Sequence, residues 1–222
     1  MKLIICLLTH NRPNSFKQSI QSIIDSYNYR KRDFDIEIIV NNDSNDIKEL
    51  YYNNIKTSYY YRQYKCLSQS YIDFFNMVGD NFIYFFEDDD ILTNNFFDNI
   101  NLNFDVNLVD YKIHKEFLKL ELKDTKHDEI IKQRKFKNYK ILKEFLKNNK
   151  LKFLQMSQFV LNCKKFNLKY FIDNKNNYQL RELDELFLLC MDKKSSVNVI
   201  NKKCYIQGYD GNNLTFVLPN YY

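Results

Sequence analysis

The chain has 222 residues, 45% of them hydrophobic and 27% charged, with a formal net charge of +5; that is enough for one well-buried domain and excludes a disordered or collagen-like chain. Its three glycines, Gly79, Gly208 and Gly211, cannot write a dinucleotide fingerprint, a Walker phosphate loop or a Gly-flanked serine elbow, which need glycine for close backbone approach or a strained turn. The three histidines, His10, His114 and His127, never fall in an HExxH pattern, so the common zinc peptidases drop out as well.

Leu3 to Leu8 is a continuous apolar run and predicts a strand covered on both faces. A secretory leader would follow such a run with a small-residue cleavage site, whereas here Thr9-His10-Asn11-Arg12 follows. Pro13 marks a helix start, with Phe16, Ile20, Ile23 and Ile24 at helical spacing. Ile36 to Val40 is a second apolar run and ends abruptly in Asn41-Asn42-Asp43-Ser44. Tyr59 to Arg62 is a weaker strand signal. Ser68 to Val78 predicts a helix with Tyr71, Phe74, Phe75 and Val78 on one side. Phe82 to Phe86 is a third strong strand and runs straight into Glu87-Asp88-Asp89-Asp90; Thr93 to Ile100 then reads as a helix. Strands alternating with helices predict an α/β fold with a mostly parallel sheet. Open parallel sheets bind ligands beyond the carboxyl ends of their strands, so three polar strand ends on one edge predict a ligand cleft.

Five scattered cysteines with no CxxC pair argue against a zinc ribbon or a disulfide framework and fit a reducing, cytoplasmic setting with buried thiols. No apolar stretch approaches the about 20 residues of a membrane span. From Lys112 to Lys152 there are 14 Lys and Arg against 6 Asp and Glu, a larger excess than that of the whole chain. Ile141, Leu142, Phe145, Leu146 and Leu151 predict an amphipathic helix there, whose other face is either a solvated lysine surface or a platform for an anionic partner.

Four consecutive carboxylates after an apolar strand repel one another, and β-strands disfavour Asp. Asp89 or Asp90 could cap the following helix, but one cap needs one carboxylate. Clustered hard oxygen ligands suit Mg²⁺ or Mn²⁺, which in turn bind a diphosphate.

With these segments in order, the chain resembles a family 2 glycosyltransferase of the GT-A fold. Leu3 to Pro13 is similar to the family's opening strand and Thr-x-Asn-Arg-Pro turn, and Ile39 to Asp46 to its "IVDDGSxD" segment. Phe82 to Asp90 resembles "yiaflDxDD". Ser157 to Leu161 with Lys164-Lys165-Phe166 resembles the strand and basic turn before the acceptor site, and Asp184 to Leu188 stands where the family has an acidic pair at a helix start. The resemblance implies one domain over 1–222, a nucleotide-sugar-binding half over 1–104 and an acceptor-side half over 105–222 with a basic helical insert at about 110–152.

It also implies a metal-dependent transferase moving a sugar from a nucleotide-diphosphate donor, UDP-sugar by default, to an acceptor hydroxyl with inversion. Asp89 and Glu87 would hold Mn²⁺ or Mg²⁺, with Asp88 beside them. Thr9, Asn11, Arg12, Asn41, Asn42 and Ser70 would line the nucleotide-sugar pocket. Glu185, with Asp184 as the near alternative, would take the acceptor proton. Asn41 and Asn42 replace family acids, and the family's late His has no counterpart around Tyr209 and Asp210. The expected acceptor is a glycan or lipid-linked glycan, in the cytoplasm or peripherally at a membrane surface. Hydroxymethylated DNA, as for some phage enzymes, is the alternative acceptor, and an inactive GT-A-fold binding module with a basic surface is the alternative of another class.

Overall fold

The computed structural model describes residues 1–113, 156–177 and 186–208, apart from 32, 34, 44–46, 53, 63–66 and 193. Three strands form as their apolar runs predict: β1 (Leu3–Thr9), β2 (Ile36–Asn42) and β4 (Phe82–Glu87), buried along nearly their whole length. Between the last two comes β3 (Lys56–Tyr60), a half-buried edge strand that starts three residues before the aromatic pair that signals it in sequence. The remaining strands are β5 (Ile91–Leu92), β6 (Val106–Ile113), β7 (Phe159–Asn162) and β8 (Val197–Gln207). They pair in one eight-stranded sheet of order β3-β2-β1-β4-β7-β6-β8-β5. β1, β2, β3 and β4 pair in parallel; β7 opposes both β4 and β6, β8 lies parallel to β6, and β5 opposes β8. Only β5 and β7 therefore run against the common strand direction, which makes this an α/β fold with a mostly parallel sheet.

Helix α1 (Pro13–Tyr29) starts where its sequence demands. Proline fixes φ and has no N–H to lose in a first turn, and it forces Arg12 before it out of the helical region, to φ −129° and ψ 60°. The stripe Phe16, Ile20, Ile23, Ile24 and Tyr27 is buried and packs on Leu3, Ile5 and Leu7 of β1. The other face of the sheet carries Ile4 and Cys6, packed with Phe74 and Phe75 of α2 (Leu67–Val78) and with Phe187 from the helical residues 186–190. Both faces are thus covered, which is why β1 and β4 read as unbroken apolar runs rather than alternating ones. Phe166 stacks on Phe75 at 4.0 Å, and so ties the turn after β7 to α2.

Two short helices complete the described parts, α3 (Phe96–Asn99) and α4 (Leu168–Asn174). The helix expected over Thr93 to Ile100 is thus one turn, and Asn95 occupies its N-cap position. Neither Asp89 nor Asp90 caps it, because β5 intervenes. The first residues of the basic segment, through Ile113, complete β6; the amphipathic helix expected around Ile141 to Leu151 lies outside the described residues. No helix among the described residues is long and apolar enough to cross a membrane. Cys6, Cys163, Cys190 and Cys204 are free thiols, as the sequence suggests, and Cys66 lies outside the described residues.

Candidate functional site

β1 lies between β2 and β4, so the chain leaves β1 on one side and returns on the other, and a crevice opens at the carboxyl end of the strands where the order reverses. The three polar strand ends meet there. Leu8 is in register with Asn41 on one side and Glu87 on the other, and Asn41 with Tyr60 of β3, which puts these four residues on one face. Thr9 is in register with Asn42, facing the α1 side. The Asp43 N–H donates to the Thr9 carbonyl at 3.0 Å and draws the two strand ends together.

The acid run is a tight turn: the Asp90 N–H donates to the Glu87 carbonyl at 3.2 Å. One carboxylate oxygen from each of Glu87, Asp89 and Asp90 lies within 4.8 Å of the others. Asp88 turns the other way. It forms an ion pair with the Arg12 guanidinium at 2.6 Å and accepts from the His10 N–H at 3.4 Å, while a second Arg12 nitrogen reaches Asp89 at 3.1 Å. Arg12 thus spreads its fork across two neighbouring acids, and the N-terminus of α1 adds its positive dipole end to the same place. Asp90 is held from the far end of the sheet by the Gly208 N–H at 3.1 Å and by the Ser157 side chain.

These environments shift the acids in one direction. Burial pushes Asp88 up, opposed by Arg12 and reinforced by Asp89. Burial and the charges of Glu87 and Asp89 push Asp90 well up. For Glu87, dehydration and then the charge of Asp89 raise the carboxyl against the pull of Arg12. Glu87 is exposed whereas Asp88, Asp89 and Asp90 are buried, so like-charge repulsion is the part of its shift that geometry supports best. Closely spaced oxygen donors that resist being charged together match what a hard divalent cation relieves.

The other expected residues fall as follows. Thr9 is buried, on the same side of the site as Asp88. Asn11 adopts φ 51°, a left-handed conformation that Asn tolerates better than most residues, and turns the chain between His10 and Arg12. Asn41 is fully buried at 0% exposure, and among the described residues neither the oxygen nor the nitrogen of its amide has a hydrogen-bond partner. The Asn42 amide donates to the Ile47 carbonyl at 3.2 Å and so shapes the loop after β2 rather than only facing the cleft. Ser70 is buried in the first turn of α2. Asp184 and Glu185, with Tyr209 and Asp210, lie outside the described residues.

Sequence reasoning passed over three groups. Asp43 stands one residue past the family's acidic pair, and its carboxylate lies 3.1 Å from His10 Nδ1, so an acid remains at the end of β2 despite Asn41 and Asn42. Ser157 and Gly208 come from remote segments and carry no local signal. Ser19, Ser22 and Ser26 line one side of α1, and their spacing of three and four residues is the signal that could have found them.

No protein-family model matches the chain, and no curated protein matches it by sequence. Among solved structures, residues 1–349 of S. aureus TarS in complex with UDP-GlcNAc match with a TM-score of 0.50 and 13% identity over 93% of this chain and 58% of that one. The same protein in complex with UDP matches at 0.50 and 15%, over 93% of this chain and 60% of that one. The galactosyltransferase LgtC, in complex with donor and acceptor sugar analogs, gives 0.44 and 10% over 90% and 73%. This chain therefore spans about three fifths of the length of the TarS structures. The strand order and the likeness to the TarS structures agree: the chain has a GT-A fold.

Proposed function

We propose that the chain is a metal-dependent glycosyltransferase that moves a sugar from a nucleotide-diphosphate donor to an acceptor hydroxyl with inversion. The observation that carries this reading is the gathering of Glu87, Asp89 and Asp90 oxygens within 4.8 Å at the carboxyl end of β4. Glu87 and Asp89 hold Mn²⁺ or Mg²⁺ in this reading, with Asp90 within reach as a third ligand. A bound divalent cation supplies charge neutralisation for the departing nucleoside diphosphate. Arg12 pairs with both Asp88 and Asp89 and holds them in place, so that the acids need not reorganise when the donor arrives.

Asn41 presents a buried amide with no hydrogen-bond partner among the described residues, on the same face of the sheet as Glu87, and it suits a nucleotide's base or ribose. A UDP-sugar is the donor to try first, since TarS was solved with UDP-GlcNAc. Proton abstraction from the acceptor falls to Glu185, with Asp184 beside it, on the family resemblance. The acceptor in this reading is a glycan or lipid-linked glycan, met by a cytoplasmic enzyme at the membrane surface through its basic 112–152 segment.

Donor hydrolysis tests the reading. The protein is incubated with UDP-, GDP-, dTDP- and CMP-sugars in Mn²⁺ or EDTA, and nucleotide release is followed. Release from one donor that EDTA abolishes is the expected result. No release together with no nucleotide binding by calorimetry would overturn the proposal.

A further inference from the structure

The acid turn is gripped from behind by a row of serine hydroxyls on α1. Ser19 Oγ lies 2.9 Å from the Asp88 carbonyl and 2.5 Å from the Asp90 carbonyl, so its one proton is shared between the two backbone oxygens that flank Asp89. Ser22 Oγ accepts from the Leu92 N–H at 3.0 Å and donates to the Ser19 carbonyl at 2.6 Å, which fixes the strand that leaves the turn. One helical turn further on, Ser26 Oγ donates to the Thr93 carbonyl at 2.9 Å. Ser19 and Ser26 are both fully buried, at 0% exposure.

We propose that Ser19 is a positioning residue for the metal-binding carboxylates: by clamping the Asp88 and Asp90 carbonyls it sets the turn that brings the Glu87, Asp89 and Asp90 oxygens together. The inference rests on the metal-binding reading of that turn. Four adjacent carboxylates favour an open, splayed backbone that separates their charges. The Asp90 N–H to Glu87 carbonyl bond opposes this from within the turn, and Ser19 opposes it from outside, at the Asp88–Asp89 and Asp90–Ile91 peptides that bracket Asp89 and Asp90. Buried carbonyls deprived of their donor would recover one by rotating, and that rotation moves the Asp89 side chain. Ser26 makes the same kind of bond in the same kind of burial but beyond the acids, so the helix supplies its own comparison.

The experiment is a Mn²⁺ titration of the purified chain, with free Mn²⁺ read by electron paramagnetic resonance, alongside urea unfolding in EDTA. Ser19→Ala is expected to weaken Mn²⁺ binding about tenfold or more, the scale of lost outer-shell partners. Ser26→Ala is expected to lose comparable stability while binding Mn²⁺ as the unaltered chain does. Equal Mn²⁺ affinity in Ser19→Ala and the unaltered chain overturns the inference, as does equal weakening in both variants. If Ser19→Ala does not fold, Ser19→Cys decides the matter, since it keeps the volume and gives up most of the donor strength; unchanged affinity there overturns the inference too. An unaltered chain that binds no Mn²⁺ takes down the metal reading itself, and with it this one, so the two failures are told apart.

Discussion

The Arg12 guanidinium lies 2.6 Å from a carboxylate oxygen of Asp88, and this pair joins the turn after β1 to the turn after β4 across the crevice. Asp88 is fully buried and Arg12 nearly so, and the same guanidinium reaches Asp89. A basic strand end and an acidic one thereby become one site.

Removing the guanidinium strands buried negative charge. Arg12→Ala is expected to cost about 3 kcal/mol of unfolding free energy, the usual scale for breaking one partner of a buried pair. Arg12→Lys should recover little, because a point ammonium cannot bridge two carboxylates as a planar fork does. Urea unfolding of the three proteins at neutral pH checks both statements; a lysine variant as stable as the unaltered chain would falsify the bridging role.

Much of this site is legible before any coordinates, and for a physical reason. β1, β2 and β4 are buried on both faces, so each is an apolar run whose abrupt polar end marks the carboxyl edge, and their parallel order follows from the helices between them. Pro13 likewise announces α1. What stays hidden is long-range. β6 and β8 pair with each other 91 residues apart, as at Asn107 and Asn198, and nothing local in either run names its partner. Gly208 reaches Asp90 from the end of β8 and Ser157 from the turn before β7, so their part in the acid turn could not be seen from the turn itself. The Asn42 amide also ties down the loop after β2, by donating to the Ile47 carbonyl, a contact that its strand-end position does not announce.

The exposed member of the acid cluster offers a sign test. Glu87 is pushed up by dehydration and by its acidic neighbours, so its ionised form is disfavoured where it stands. Glu87→Gln removes that repulsion and is expected to raise the melting temperature in EDTA. The same change is expected to remove most of the stabilisation that Mn²⁺ gives, which for the unaltered chain at a hundredfold excess over Kd is about 2.7 kcal/mol. Thermal unfolding with and without Mn²⁺ reads both effects. A variant that loses stability in EDTA yet keeps the full Mn²⁺ response would contradict the assignment.

Acid stability should reflect a second acid, far from the cleft. Asp105 joins the start of β6 to residues flanking β7 and β8: it accepts from the Ser196 N–H at 2.9 Å, the Ser196 hydroxyl at 3.0 Å and the Asn162 amide at 3.0 Å. Burial opposes ionisation there, but these hydrogen bonds outweigh it and the pKa is lowered. A lowered folded-state pKa gives stability that is present above the unfolded value, about 4, and is lost as pH falls through the folded one. Asp105→Asn is therefore expected to cost about 1 kcal/mol at pH 7, with the difference shrinking below about pH 4. Denaturant melts at pH 7 and pH 3 test this, and a constant difference would count against it.

The thiols should be quiet. Burial pushes Cys163, Cys190 and Cys204 up to about 12 and Cys6 well above its usual range, so little thiolate exists at pH 8. Titration with an aromatic disulfide reagent is expected to modify these four slowly in the folded protein and all five cysteines at once in denaturant. Rapid modification of Cys6, mapped by mass spectrometry, would show that β1 is less enclosed than its packing implies.

Asn41 poses the sharpest trade between stability and function. Its amide is fully buried, and among the described residues neither polar atom has a hydrogen-bond partner, so the folded protein carries the cost of dehydrating the amide without bonds from those residues to compensate. Leucine has nearly the same shape and no polar atoms. Asn41→Leu is therefore expected to stabilise the ligand-free protein, by about 1–3 kcal/mol, the penalty of an unsatisfied buried group. If the amide exists to meet a nucleotide, the same change weakens UDP binding by about tenfold or more, since a good buried hydrogen bond is worth at least that much. Melting in the absence of ligand and calorimetry with UDP separate the two effects. A stabilised variant that binds UDP as well as before would remove Asn41 from the nucleotide pocket. A destabilised one would mean that an ordered water already satisfies the amide, since only a satisfied group loses by becoming apolar.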